Sequence, residues 1–220
     1  MADQPQLHQG MPFYGYGAPL DSATVAMVMV HGRGAAPSDI LSLASEFDVP
    51  GVAYLAPEAA GGQWYPYPFI APVERNEPWL SSALAAVGEV FDMVASAGIP
   101  PERTLLLGFS QGACLALEYA ARNPRRYGGL IGLSGALIEN GDKQREYSGS
   151  LDDTPVFLGC SDSDPHIPAG RLERTADLLE QLDAEVLLHI YPRIGHTVIE
   201  DETTFVRGMI EAVLAPREGE

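Results

Sequence analysis

A short apolar stretch, Thr104-Leu-Leu-Leu107, runs directly into Gly108-Phe-Ser-Gln-Gly112, and Ala113, Ala116, Leu117, Ala120 and Ala121 then fall on one face at helical spacing. Gly-x-Ser-x-Gly between a strand and a helix describes a nucleophile elbow. Its requirement is steric. A serine on a tight, strained turn lifts its hydroxyl clear of the sheet, while glycines on either side let strand and helix approach closely. The helix N-terminus behind the turn favours negative charge close to that hydroxyl. This strand, turn and helix fix the geometry around Ser110, so the rest of the chain is read relative to them.

The flanking segments alternate strand and helix patterns. Val25-Ala-Met-Val-Met-Val30 is continuously apolar, as in a strand buried on both faces, and Val52–Ala56 is a second such strand, closed by Pro57. Ser38 or Asp39 is placed to cap a short helix through Phe47. Leu80, Leu84, Val87, Phe91 and Val94 mark a longer helix opened by Pro78, with Asn76 and Glu77 as its expected caps. Further strands are expected over Gly129–Leu133, Val156–Cys160 and Glu185–Tyr191. Helix faces are expected at Leu172, Ala176, Leu179 and Leu182, and at Val206, Met209, Ile210 and Val213. The alternation predicts an α/β fold whose mostly parallel central sheet carries helices on both faces. A length of 220 residues fits one such domain, here 1–220. Residues 1–22, rich in Gly, Pro and Gln, are expected as an antiparallel edge or a draping segment. The polar stretch 139–153 reads as a surface excursion.

Composition narrows the partners. A net charge of -17, with Lys143 the only lysine, disfavours nucleic acid and anionic membranes. No basic region followed by an apolar run opens the chain, and no apolar run is long enough for a bilayer, so neither a signal peptide nor membrane insertion is expected. Cys114 and Cys160 are expected as buried free thiols, which fits a reducing, cytoplasmic setting.

A serine nucleophile needs a base to take its proton and a third group to orient that base. Behind an elbow of this kind the chain order is Ser, then Asp or Glu, then His. Two loops past strand ends supply them: Asp162-Ser-Asp-Pro-His-Ile-Pro168 and Arg193-Ile-Gly-His-Thr197. His196 is the base candidate, because Gly195 permits a tight turn and leaves the ring free. His8, His31, His166 and His189 are weaker: His189 lies inside a strand, and His31 is better placed for a structural bond to the backbone. The acid is Asp162 or Asp164, with Pro165 stiffening the turn after Asp164. A metal site of Asp162, Asp164 and His166 is outweighed by the ordinary turn chemistry of Asp and Pro. An oxyanion hole needs two backbone donors. Gln111, following the nucleophile, is one; Arg33, in His31-Gly-Arg-Gly34 after the strand ending at Val30, is the other. The Arg33 side chain is open to two readings, a substrate contact or a surface ion pair. The aromatic loop Trp64-Tyr-Pro-Tyr-Pro-Phe69 is a candidate acyl-pocket wall through Trp64, Tyr65 and Phe69, with packing against the core as the alternative.

His31-Gly-Arg-Gly34, Trp64-Tyr65, Asn76-Glu-Pro-Trp-Leu80, Gly108-Phe-Ser-Gln-Gly112, Asp164-Pro-x-Ile-Pro168 and Gly195-His196 occur together and in order. In these motifs the chain resembles the phospholipase/carboxylesterase family of α/β-hydrolases, which includes acyl-protein thioesterases and small bacterial carboxylesterases. The likeness runs from about Val25 to the C-terminus. It implies an α/β-hydrolase without a large cap domain, a triad of Ser110, Asp164 and His196, oxyanion donors Arg33 and Gln111, and no cofactor or metal. Many members carry His-Gly-Leu-Gly in the oxyanion loop. The arginine here matches a bacterial branch of small esterases, so long-acyl thioesterase activity does not carry over. The expected function is hydrolysis of short- to medium-chain carboxylic esters through an acyl-serine, on a small-molecule substrate. The rival readings are an acyl-protein thioesterase or lysophospholipase and, in another class, a non-catalytic ligand-binding protein on the same scaffold. A homodimer is compatible with the sequence, which does not fix the oligomeric state.

Overall fold

In the computed structural model, residues 7–47, 49–141, 143 and 145–215 are described. Seven strands form one sheet: β1 (Phe13–Gly17), β2 (Val25–Val30), β3 (Val52–Pro57), β4 (Thr104–Phe109), β5 (Gly129–Leu133), β6 (Pro155–Ser161) and β7 (Glu185–Tyr191). Their spatial order is β1-β3-β2-β4-β5-β6-β7. β1 runs antiparallel to β3, with Phe13 opposite Pro57, and every other pair is parallel. The N-terminal segment therefore supplies the edge strand that its composition left open. Residues 1–6 of that segment lie outside the described residues.

The helices are α1 (Pro37–Phe47), α2 (Val73–Asn76), α3 (Trp79–Ser96), α4 (Gln111–Arg122), α5 (Ala169–Glu180) and α6 (Glu200–Leu214). A strand covered on both faces must be apolar at every position, and β2 is buried throughout. Its residues alternate between two cores. Ala26, Val28 and Val30 join the core under α3, α4 and α5, whereas Val25, Met27 and Met29 join the core under α1 and α6. β7 shows the opposite case. Val186, Leu188 and Ile190 pack inward, while Leu187 and His189 face out, because among the described residues no helix covers that side of the edge strand.

From β2 the chain winds outward to β3; from β4 it winds the other way through β5, β6 and β7. The carboxyl ends of β2 and β4 thus flank the point where the winding reverses, where such sheets open a crevice. The loop after β2 and the turn after β4 both end there.

Two local expectations are corrected by side-chain partners. Glu77 caps α3 by accepting the Ser81 N–H at 3.0 Å. Asn76 instead accepts the Tyr67 N–H at 2.8 Å, so it holds the aromatic loop and not the helix. The polar stretch 139–153 is anchored more firmly than a surface excursion. Leu151 is fully buried, and Arg145 and Tyr147 both bond Glu118, a carboxylate buried on α4. Cys114 and Cys160 are buried free thiols. Among the described residues no helix is long and apolar enough to cross a membrane.

Candidate active site

Ser110 sits between β4 and α4 with φ 56° and ψ -121°, a conformation that a non-glycine residue holds only when its surroundings dictate it. The two glycines of the turn show how. A Cβ on Gly108 would stand 2.3 Å from the Gly112 carbonyl oxygen, and one on Gly112 would stand 2.1 Å from the Val30 oxygen. Strand, helix and the end of β2 therefore meet backbone to backbone. The Ser110 N–H donates to Leu133 O at 2.9 Å and the Ser110 carbonyl accepts from Cys114 at 3.1 Å, which pins the strained residue to β5 and to α4.

The Ser110 hydroxyl lies 2.9 Å from His196 Nε2, and His196 Nδ1 lies 2.7 Å from Asp164 Oδ2. A carboxylate only accepts, so Nδ1 carries the proton and Nε2 is left to accept from Ser110. The other carboxylate oxygen, Asp164 Oδ1, accepts the N–H groups of His166 at 2.8 Å and Ile167 at 3.1 Å. Burial pushes the Asp164 carboxyl upward, but the hydrogen bonds from His196, His166 and Ile167 outweigh it and hold it below the usual carboxylate range. The neighbouring thiol of Cys160 is raised to about 12, by burial first and by the Asp164 charge second, so it stays protonated beside the carboxylate.

The geometry separates the two aspartates. Asp162 Oδ1 accepts the Arg193 N–H at 2.7 Å, and Ser161 Oγ accepts the Gly195 N–H at 3.1 Å. Both clasp the loop that carries His196; neither touches the ring. Because Asp162 and Asp164 serve different partners, they do not converge on a metal, and among the described residues no His, Cys, Asp and Glu cluster could hold one.

Facing Ser110, the Gln111 N–H opens α4 as one of the helix's orphan donors. The Arg33 N–H, on the loop after β2, has no partner among the described residues. Gly32 packs against this turn, since a Cβ there would meet Ser110 Cβ at 3.5 Å. The Arg33 guanidinium is held by the aromatic loop and not by a surface acid among the described residues. It donates to Gln63 Oε1 at 2.7 Å, Tyr65 O at 2.8 Å and Pro66 O at 3.1 Å, stapling the aromatic loop. The Gln111 side chain grips the same loop, accepting from Trp64 N at 3.0 Å and donating to Tyr65 O at 2.8 Å. Spacing gave no signal for either brace.

The three rings expected to wall the acyl pocket are buried. Trp64 is 0% exposed and Tyr65 1%, both in the core under α3, α4 and α5, and the Trp64 indole donates to His31 O at 2.8 Å. Phe69 is buried with them. Such rings hold the loop down. The exposed apolar residues of the loop are Tyr67 and Ile70. Two buried histidines complete this packing. His8 donates from Nε2 to Trp64 O and accepts the Ala60 N–H at Nδ1; His31 donates from Nδ1 to Gly32 O and accepts the Ala59 N–H at Nε2. Burial lowers the pKa of each, so both are neutral supports of the loop.

A family model described as phospholipase/carboxylesterase matches residues 17–214. The chain belongs to that family. Its fold is the α/β-hydrolase fold. A solved phospholipase/carboxylesterase from Dyadobacter fermentans is similar at 41% identity and a TM-score of 0.86, covering 94% of this chain and 97% of that one. Curated proteins named acyl-protein thioesterase 1 are similar over a shorter stretch. The one from Gibberella zeae is 32% identical over 54% of this chain and 52% of its own length. The one from Saccharomyces cerevisiae is 33% identical over 54% of this chain and 53% of its own. The chain thus spans about half the length of these curated relatives.

Proposed function

We propose that this family member is a serine carboxylesterase acting on short- to medium-chain esters through an acyl-serine. The relay from Ser110 through His196 to Asp164, mounted on the strained elbow, carries the reading. Ser110 Oγ attacks the ester carbonyl while His196 Nε2 takes its proton. Asp164 holds the imidazole in the required tautomer and stabilises it when charged. The carbonyl oxygen, gaining negative charge, is met by the N–H groups of Arg33 and Gln111. As the acyl–oxygen bond breaks, His196 returns the proton to the departing alcohol. Water then repeats the sequence in reverse and frees the acid. Thioesters are a second reading, supported by the names of the curated relatives. No inserted domain interrupts the described residues to deepen the site, which favours short acyl groups. The buried free thiols support a reducing, cytoplasmic setting.

The test is Ser110→Ala together with an organophosphonate probe. The variant should fold normally and lose ester turnover by on the order of 10³-fold or more. The probe should label the parent protein at Ser110. Labelling elsewhere, or near-normal turnover by the variant, overturns the assignment and leaves the binding-protein reading. A panel of p-nitrophenyl esters and acyl-thioesters of graded length decides between the two substrate classes.

A further inference from the structure

A cleft of about 380 Å³ opens beside His196, between the loop after β2, helix α1 and the segment that follows His196. Ile40 and Leu43 of α1, Phe109 of the elbow and Val198 line it with apolar surface, together with Gly32 and His196. The Phe109 ring stands 5.0 Å from the His196 ring. The cleft belongs to the α1 and α6 side of the sheet, whereas the aromatic loop belongs to the α3, α4 and α5 side. Ser110 lies at the seam, so an ester bound there extends one arm to each side.

Proton bookkeeping decides which arm goes where. When the tetrahedral intermediate collapses, the carbon–oxygen bond to the alcohol breaks and that oxygen takes the proton from His196 Nε2. The alcohol oxygen must therefore stand within hydrogen-bond reach of the imidazole. The acyl carbon stays on Ser110 Oγ and needs no contact with the ring. The cleft is lined by His196 itself and by Thr197 and Val198 after it. We propose that this cleft is the leaving-group subsite and that it selects neutral, apolar alcohols. Asp39 also lines it, with its carboxylate on the Ala36 N–H, and this negative group opposes an anionic leaving group such as a phosphodiester head. The inference rests on the esterase reading above.

The experiment compares acetates of methanol, ethanol, propanol and butanol with methyl esters of acetic through valeric acid. Each methylene buried in the cleft should raise kcat/KM about fourfold. The butyl-to-methyl acetate ratio should then be on the order of 50 in the parent protein. In Leu43→Gln and, separately, in Val198→Asn, that ratio should fall to about fivefold or less, while the methyl valerate-to-acetate ratio holds. Two substitutions on different elements guard against misfolding of one, and ratios within one variant cancel any loss of folded protein. A flat alcohol series in the parent overturns the proposal while leaving the esterase reading intact. So does a fall in the acyl ratio with the alcohol ratio unchanged, which would make the cleft the acyl site. Absence of any Ser110-dependent ester turnover removes the esterase reading and this inference with it.

Discussion

Asp164→Asn replaces one oxygen by an NH₂ group, and the partners of that carboxylate determine how the triad responds. Asp164 Oδ1 accepts two backbone N–H groups, from His166 and Ile167. An asparagine keeps its carbonyl oxygen on those two donors, because turning the amide would set its NH₂ against both N–H groups. The amide nitrogen is then presented to His196 Nδ1, where the carboxylate oxygen now stands at 2.7 Å. Nδ1 must accept, so the ring proton moves to Nε2 and points at Ser110 Oγ, 2.9 Å away. Nε2 then donates to Ser110 Oγ in place of accepting from it, and the base is gone. The expected loss in kcat is about 10⁴-fold, close to 5.5 kcal/mol of barrier, the size seen for the equivalent change in a serine protease triad. Asp162→Asn is the internal control. It keeps a carbonyl oxygen for the Arg193 N–H and should cost about fivefold or less. The assay is steady-state hydrolysis of p-nitrophenyl acetate, with urea melts for folding and imidazole nitrogen shifts for the tautomer. Turnover by Asp164→Asn within about tenfold of the parent, or equal losses at both aspartates, would refute the reasoning.

Two further outcomes concern the scaffold. Gly112→Ala would set a methyl 2.1 Å from Val30 O and 2.5 Å from His31 O, backbone atoms of a central strand end. It should cost about 3 kcal/mol or more in urea unfolding, and a smaller loss would mean that β2 and α4 separate easily. The neutral histidines His8 and His31 have lowered folded pKa values, so their contribution is flat above the unfolded 6.5 and is lost as pH falls below it. Glu202 opposes them. Burial raises its carboxyl to about 7, so it costs stability increasingly as pH rises from 4.5 to that value. Glu202→Gln removes this opposition. Its stability should fall by up to about 1.4 kcal/mol per pH unit for each histidine below 6.5, and a flat curve there would contradict neutral packing.

The elements were legible because both covering layers impose their period on the chain. β2 is apolar at all six positions since helices cover both faces, and α3 repeats Leu80, Val87, Phe91 and Val94 since only one face is inward. The elbow was legible for a harder reason: any Cβ at Gly108 or Gly112 meets backbone. Chain order past strand ends put Ser110, Asp164 and His196 within reach of one another, but it did not choose between two aspartates of the same turn; Pro165 and the family motif pointed to Asp164, and the partners separate the two. The aromatic loop was the least legible. Trp64 in a proline-rich stretch suits a substrate wall and a buried anchor equally, and its deciding contact, His31 O, lies 33 residues away. The Arg33 staple has the same character, since its acceptors are carbonyls that no residue type announces.

Arg33 and Gln111 come from loops that are far apart in sequence, and each lends its main chain to the oxyanion position in the proposed mechanism. Their side chains meet on a single atom, the Tyr65 carbonyl oxygen, at 2.8 Å from each. The result is a closed truss: two struts, one shared node, and the ends of β2 and β4 as the base. A truss of this kind holds its shape without a load. The distance between the two donors is set when the protein folds, so binding an ester need not draw a lid across or reorder a loop to bring them together. The same rigidity carries a cost for change. An insertion anywhere in residues 63–67 moves the node, and with it both donors at once.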